Sequence, residues 1–241
     1  MVSSNVVGYK KVTLQPGLNL IGTGFTQIGG TDWQLKDLFQ GTDVSNATAG
    51  EAADSGDLIQ VFDPSVQGYA NQYYFYYAGD GEEYDYKWYK RGDDDEPTEA
   101  TINGINGFWY NFRGSQSMTL TTAGEVSTND VVVTIQPGLN LITYPFPADF
   151  DFTSLDWLAA GATTGEAADS GDLIQVFNPS VQGYANQYYF YYGGDGEEYD
   201  NKWYKRGADD DPTSDVIPAG SGFWYNHRGS NSFTITLPSP L

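Results

Sequence analysis

The chain repeats itself, and that repetition limits the folds open to it. Residues 50–92, GEAADSGDLIQVFDPSVQGYANQYYFYYAGDGEEYDYKWYKRG, return at 165–207 as GEAADSGDLIQVFNPSVQGYANQYYFYYGGDGEEYDNKWYKRG. The offset is 115, and three of the 43 positions differ: Asp63/Asn178, Ala78/Gly193 and Tyr86/Asn201. Gly107-Phe108-Trp109-Tyr110-Asn111 recurs as Gly222-Phe223-Trp224-Tyr225-Asn226 at the same offset. Upstream, Gln15-Pro16-Gly17-Leu18-Asn19-Leu20-Ile21 recurs as Gln136-Pro137-Gly138-Leu139-Asn140-Leu141-Ile142 at an offset of 121, so the first copy is longer by 121 − 115 = 6 residues before Gly50. A period this long signals duplicated domains rather than a solenoid, and a copy of roughly 110–120 residues is domain-sized. Val126-Ser127-Thr128-Asn129 echoes Val2-Ser3-Ser4-Asn5. The boundary is therefore expected near residues 123–129, giving a first repeat of 1–125 and a second of 126–241. The near identity of the middle blocks fits shared function, but recent duplication explains it at least as well.

Within each copy the residues read as β. Aromatic side chains make up 16% of the chain, with 19 Tyr, 13 Phe and 6 Trp, alongside 29 Gly and 11 Pro. Tyr, Phe, Val and Thr suit pleated, half-buried surfaces, while Gly, Asn and Asp suit the turns between them. In the first copy strands are expected at Val6 to Leu14, Leu18 to Ile21, Asp57 to Phe62, Tyr69 to Tyr77, Tyr86 to Lys90, Gly107 to Phe112 and Met118 to Thr122. Apolar residues at 33, 35, 38 and 39 allow a short helix over 32–39, with a counterpart over 153–158. Thr31 or Asp32, and Thr153 or Ser154, would cap these. The expectation is an all-β protein of two tandem duplicated β-sandwich or small-barrel domains, each with about seven short strands and room for one short helix.

Charge removes several classes of function. There are 11 basic and 32 acidic side chains, a formal charge of −21. Such a chain repels phosphate backbones, so nucleic acid is not an expected partner. No apolar run approaches the roughly 20 residues that span a bilayer as a helix. With no cysteine, disulfide scaffolds, thiolate zinc sites and cysteine nucleophiles are excluded. The single histidine, His227, excludes two-histidine mechanisms and replaces Phe112 of the first copy. The residues after Met1 carry no signal segment. Either a cytosolic protein or a mature secreted chain with a new initiator Met fits that start.

The opening Ser3-Ser4-Asn5-Val6-Val7-Gly8-Tyr9-Lys10-Lys11-Val12 resembles the mature start of certain secreted bacterial β-rich repeat proteins of uncharacterised function. Gly17-Leu18-Asn19-Leu20-Ile21, Gly56-Asp57-Leu58-Ile59, Lys87-Trp88-Tyr89 and Gly107-Phe108-Trp109-Tyr110 are similar to strands of the same group. The resemblance covers both copies and implies export, to the medium or the cell surface, and a β-rich fold. It implies no chemistry.

Two features are candidates for a site. The first is acidic turns: Asp80, Glu82, Glu83 and Asp85, repeated as Asp195, Glu197, Glu198 and Asp200. A second acidic run follows each, with Asp94 and Asp95 in one copy and Asp209 and Asp210 in the other. Calcium takes about six to eight oxygens, often from close carboxylates, so calcium is the one cofactor these turns suggest. The spacing is not that of an EF-hand, and Lys87, Lys90 and Arg91 lie between the runs as alternative partners. The second feature is the aromatic strand. Alternation puts Tyr73, Phe75 and Tyr77 on one face and Tyr74 and Tyr76 on the other. Tyr74, Tyr76 and their equivalents Tyr189 and Tyr191 then form a surface for ligand or assembly. Tyrosine faces stack on sugar rings and make good protein contacts.

The expected function is non-enzymatic: extracellular or cell-surface binding and adhesion through aromatic platforms and acidic, calcium-holding loops. The partner would be a glycan or a protein surface, with two like sites acting through avidity. An alternative is a structural subunit of a surface layer, fibre or matrix, formed by self-association. A carboxylate-dependent glycoside hydrolase ranks lower. Its acids need an apolar or like-charged pocket, whereas these carboxylates sit in turns beside glycine. No catalytic residue is assigned.

Overall fold

The Gln-Pro-Gly turn of each repeat is closed by an asparagine two residues beyond it. Asn19 is fully buried, accepts the Gln15 amide at 2.8 Å, and donates to the carbonyls of Gln15, Gly17 and, across the sheet, Tyr110. Asn140 does the same with Gln136, Gly138 and Tyr225. The shared motif thus locks a turn and joins the strand after it to its neighbour.

The computed structural model describes residues 6–38, 46–79, 81, 83–93, 96–194, 196, 198–208 and 211–241. The first repeat contributes β1 (Val7–Leu14), β2 (Gly17–Ile21), β3 (Trp33–Gln34), β4 (Leu58–Asp63), β5 (Gly68–Tyr76), β6 (Lys87–Lys90), β7 (Thr101–Ile102), β8 (Phe108–Phe112) and β9 (Met118–Glu125). The second contributes β10 (Val131–Ile135), β11 (Gly138–Thr143), β12 (Leu173–Asn178), β13 (Gly183–Tyr191), β14 (Lys202–Lys205), β15 (Gly222–His227) and β16 (Phe233–Leu237). Each repeat builds an antiparallel five-stranded sheet of the same order, β2-β8-β4-β5-β6 and β11-β15-β12-β13-β14. A two-stranded ribbon accompanies each, β1-β9 in the first and β10-β16 in the second. No sheet closes on itself, so the all-β expectation resolves to a sandwich-like fold rather than a barrel.

Alternation along the strands fills the space between sheet and ribbon. Ile59, Tyr73, Phe75, Trp88, Phe108, Tyr110 and Phe112 point inward and meet Leu14, Met118 and Leu120 of the ribbon. In the second repeat Ile174, Tyr188, Phe190, Trp203, Phe223 and Tyr225 meet Val133, Ile135, Ile235 and Leu237. Phe25, Trp33 and Val126, although earlier in the chain, pack into this second core.

The expected helix caps need correction. Residues 33–34 form β3, and a single 3-10 turn, Leu35–Asp37, follows with an extended Gln34 and no side-chain cap. The Trp33 indole N–H donates to the Phe25 carbonyl at 2.7 Å and Trp33 pairs with Ile102, so tertiary contacts override the helical pattern. In the second repeat the caps are aspartates: Asp151 for the 3-10 turn Phe152–Ser154, and Asp156 for the one-turn helix α1, Trp157–Ala160. Thr153 and Ser154 lie inside that first turn.

The two repeats meet about an approximate two-fold axis. Phe62 stands edge-on against Trp224 at 4.7 Å between ring centroids, and Phe177 against Trp109 at 4.8 Å. Leu20 and Leu141 complete this apolar cluster. Around it each repeat's β-hairpin turn clamps the other repeat's edge strand. The Gln182 side-chain oxygen accepts the Leu18 amide at 2.8 Å, and its nitrogen donates to the Leu18 carbonyl at 3.0 Å. Gln67 makes the same pair of bonds with Leu139, at 2.8 and 3.0 Å. The clamp needs glycine beneath it. Gly17 and Gly138 have φ of 95° and 86°, and a Cβ there would stand 2.6 Å from the glutamine oxygen.

Candidate functional site

One face of each five-stranded sheet covers the core; the other packs against the opposite repeat around Trp109 and Trp224 and is open beyond them. On the second repeat's outer face Gln175 pairs with Gln187 across β12 and β13, and Leu173 with Tyr189. The strand-end residues Arg206 and Arg228 stand on either side, after β14 and after β15. The loop 165–171 forms a wall: Gly165 donates to the Phe190 carbonyl, and Ser170 bonds both ways with Ala167. Together these residues line a groove of about 600 Å³, with Glu166 and Asp169 on the wall. This lies within the roughly 300–1,000 Å³ usual for ligand sites.

Three of the four guanidinium groups are held by hydrogen bonds. Arg206 donates to the Gln187 side-chain oxygen at 3.0 Å, as Arg91 does to Gln72 at 2.9 Å. Arg113 folds over the equivalent wall of the first repeat, its Nε donating to Gly56 at 2.7 Å. The Arg228 guanidinium has no hydrogen-bond partner among the described residues and lines the groove. These are all four arginines of the chain, two per repeat. The first repeat has the same residue types at the equivalent sequence positions, Glu51, Asp54, Gln60, Gln72, Tyr74, Arg91 and Arg113, although Arg113 is tied to the Gly56 and Ala53 carbonyls. Sequence reasoning passed over the glutamines and arginines, because polar residues alternating with apolar ones along a strand look like an ordinary wetted face. The available signal was that every arginine falls at the same place in both copies.

The expected tyrosine surface is only partly open. Tyr74 and Tyr189 are 4% and 8% exposed, flanked by Tyr89 and Tyr204 and by the half-buried Tyr76 and Tyr191. Tyr189 supplies floor to the groove, not a flat platform above it. Trp88, Trp109, Trp203 and Trp224 are all buried.

Of the acidic-turn candidates, Asp80, Glu82, Asp94, Asp95, Asp195, Glu197, Asp209 and Asp210 lie outside the described residues. Glu83 and Glu198 are exposed. Asp85 uses both oxygens on its own turn, accepting the amides of Ala78 at 2.9 Å and Gly81 at 3.1 Å. Asp200 accepts those of Gly193 at 2.7 Å and Gly196 at 2.9 Å. Among the described residues no group of three or more His, Asp or Glu side chains is placed to hold a metal ion. The lysine–carboxylate ion pairs of the described residues lie elsewhere, at Lys36–Glu99 and Lys205–Asp215, 2.7 and 2.9 Å.

A second constellation has catalytic residue types but no access. Asp172 is fully buried and accepts from the Tyr225 hydroxyl at 2.6 Å and the amides of Arg228 and Thr163. His227, 3% exposed, sets Nδ1 2.9 Å from Asp172 and Nε2 2.9 Å from the Asn231 carbonyl. In the first repeat Asp57 accepts from Tyr110, Arg113 and Thr48 in the same way, with Phe112 in place of the histidine. Burial raises the Asp57 pKa, and these hydrogen bonds work against it. The carboxylate organises strand ends.

Comparison with protein-family models, with curated proteins and with solved structures finds no match to this chain. Among the described residues no helix is long and apolar enough to cross a membrane.

Proposed function

We propose that this chain is a non-enzymatic binding protein of the extracellular or cell-surface kind, adhering through one groove on each repeat. The observation that carries the reading is the outer-face groove itself: a sheet face lined by paired glutamines and flanked by arginines, with the same residues on both repeats. Its polar groups converge on open space, whereas the carboxylate of the Tyr225–Asp172 pair is sealed in the core. Binding, not bond breaking, suits such a set, because Glu166 and Asp169 stand on the loop wall of an open groove that they share with two guanidinium groups. Two like grooves on one frame make the second contact with a polymeric surface intramolecular, so modest single-site affinity adds up to adhesion.

The test is retention of the intact chain on immobilised glycan and protein panels. Wild type should be retained, and a chain with one groove disabled by Gln187→Ala should dissociate markedly faster from the same dense surface. Absence of retention on every panel would sink the binding reading.

A further inference from the structure

We infer that the ligand of each groove is a neutral saccharide, gripped edge-on through neighbouring hydroxyl pairs by planar polar side chains. This rests on the binding reading above and adds the class of ligand. Gln175, Gln187, Arg206, Arg228, Glu166 and Asp169 line the groove, and each ends in a flat group with two or more polar atoms side by side. Guanidinium and amide N–H groups donate, while carboxylate and amide oxygens accept. A hydroxyl needs both, since it has one proton to give and two lone pairs to fill. Few other ligands ask for so even a mixture in one small cleft.

Charge points the same way. Two guanidinium groups and two carboxylates cancel, so the groove has no net charge to offer an ion. An anionic polymer would also approach a chain of formal charge −21, whose field opposes it. A cationic ligand would meet both arginines at the ends of the floor. A neutral polyol meets neither penalty.

Geometry sets the mode of contact. Tyr189, the aromatic side chain of the groove, is only 8% exposed and gives a sugar ring no open face to stack on. Recognition falls to the polar edges. These are partly fixed before any ligand arrives: the Arg206–Gln187 bond of 3.0 Å holds two of them in register, and the wall is tied to β13 through Gly165. Side chains ordered in advance lose less entropy on binding.

The experiment is titration calorimetry of the intact chain with neutral oligosaccharides and, in parallel, with uronic-acid and sulfated ones, at low and high salt. Neutral sugars should bind at two sites per chain with little salt dependence. Gln72→Ala should leave one site, and Gln72→Ala with Gln187→Ala should weaken binding by about tenfold or more, the worth of one or two hydrogen bonds per groove. Circular dichroism and melting of these surface variants check that the fold is unchanged. Salt-sensitive binding of the charged sugars alone would overturn the ligand class and leave the binding reading standing. So would retention on protein panels alone. Neutral sugars bound equally well by the double variant would overturn the groove as their site.

Discussion

Lys10 is the residue most at odds with its surroundings. It is 6% exposed, donates to the carbonyls of Gly22 and Thr23, and lies over the Phe25 ring at 5.8 Å. No described carboxylate pairs with it. Burial lowers its pKa from 10.5 to about 7. Between those values the unfolded chain holds a proton that the folded chain has released, so stability rises with pH across the window. Below about pH 7 both states are protonated and the cost of the buried charge is at its full value. Raised tyrosine pKa values act in the opposite sense only above about pH 10, and there is no cysteine to titrate between. The melting temperature should therefore climb from pH 7 to about pH 9.5, and Lys10→Met should flatten that climb. Equal slopes in the two proteins would show that Lys10 keeps its proton throughout.

The turns between strands carry their own fastenings, and they show what the sequence could and could not reveal. Asp200 spends both oxygens on the Gly193 and Gly196 amides. Asp200→Ala should cost about 1–3 kcal/mol, the usual penalty for stranding hydrogen-bonding groups. Amide exchange at Gly193 and Gly196 should quicken with it, while the β12 amides stay protected. Unchanged exchange at both glycines would mean the carboxylate does not hold the turn. The strands were legible because alternation and turn residues mark them, as in Asp57 to Phe62 against the observed Leu58–Asp63. The helix caps were not, since Trp33 answers to Phe25 and Ile102 rather than to its own neighbours. The acid-rich turn is visible as composition, but Asp85 and Asp200 serve backbone amides that no spacing rule displays. The groove was less legible still, because it exists only once β12, β13 and the 165–171 wall come together.

At the scale of the whole molecule the question is whether the two repeats are beads on a string or one folding unit. The junction argues for one unit. Trp109 and Trp224 are each 6% exposed, and each lies against a phenylalanine of the opposite repeat. Two glutamine clamps surround them, and the second core borrows Phe25 and Trp33 from the first repeat. Either repeat unfolding alone would expose both tryptophans' partners and break both clamps, so the penalty falls on the half that remains folded. Removing a buried tryptophan side chain typically costs about 3–5 kcal/mol, comparable with a large part of a domain's stability. Calorimetry of the intact chain should therefore show one transition whose van't Hoff and measured enthalpies agree. Trp109→Ala with Trp224→Ala should lower the melting temperature and separate the trace into two transitions. A wild-type trace already split in two would mean that the repeats fold independently. The spacing of the two grooves would then be set by a loose joint, and avidity would fall as their relative orientation spreads.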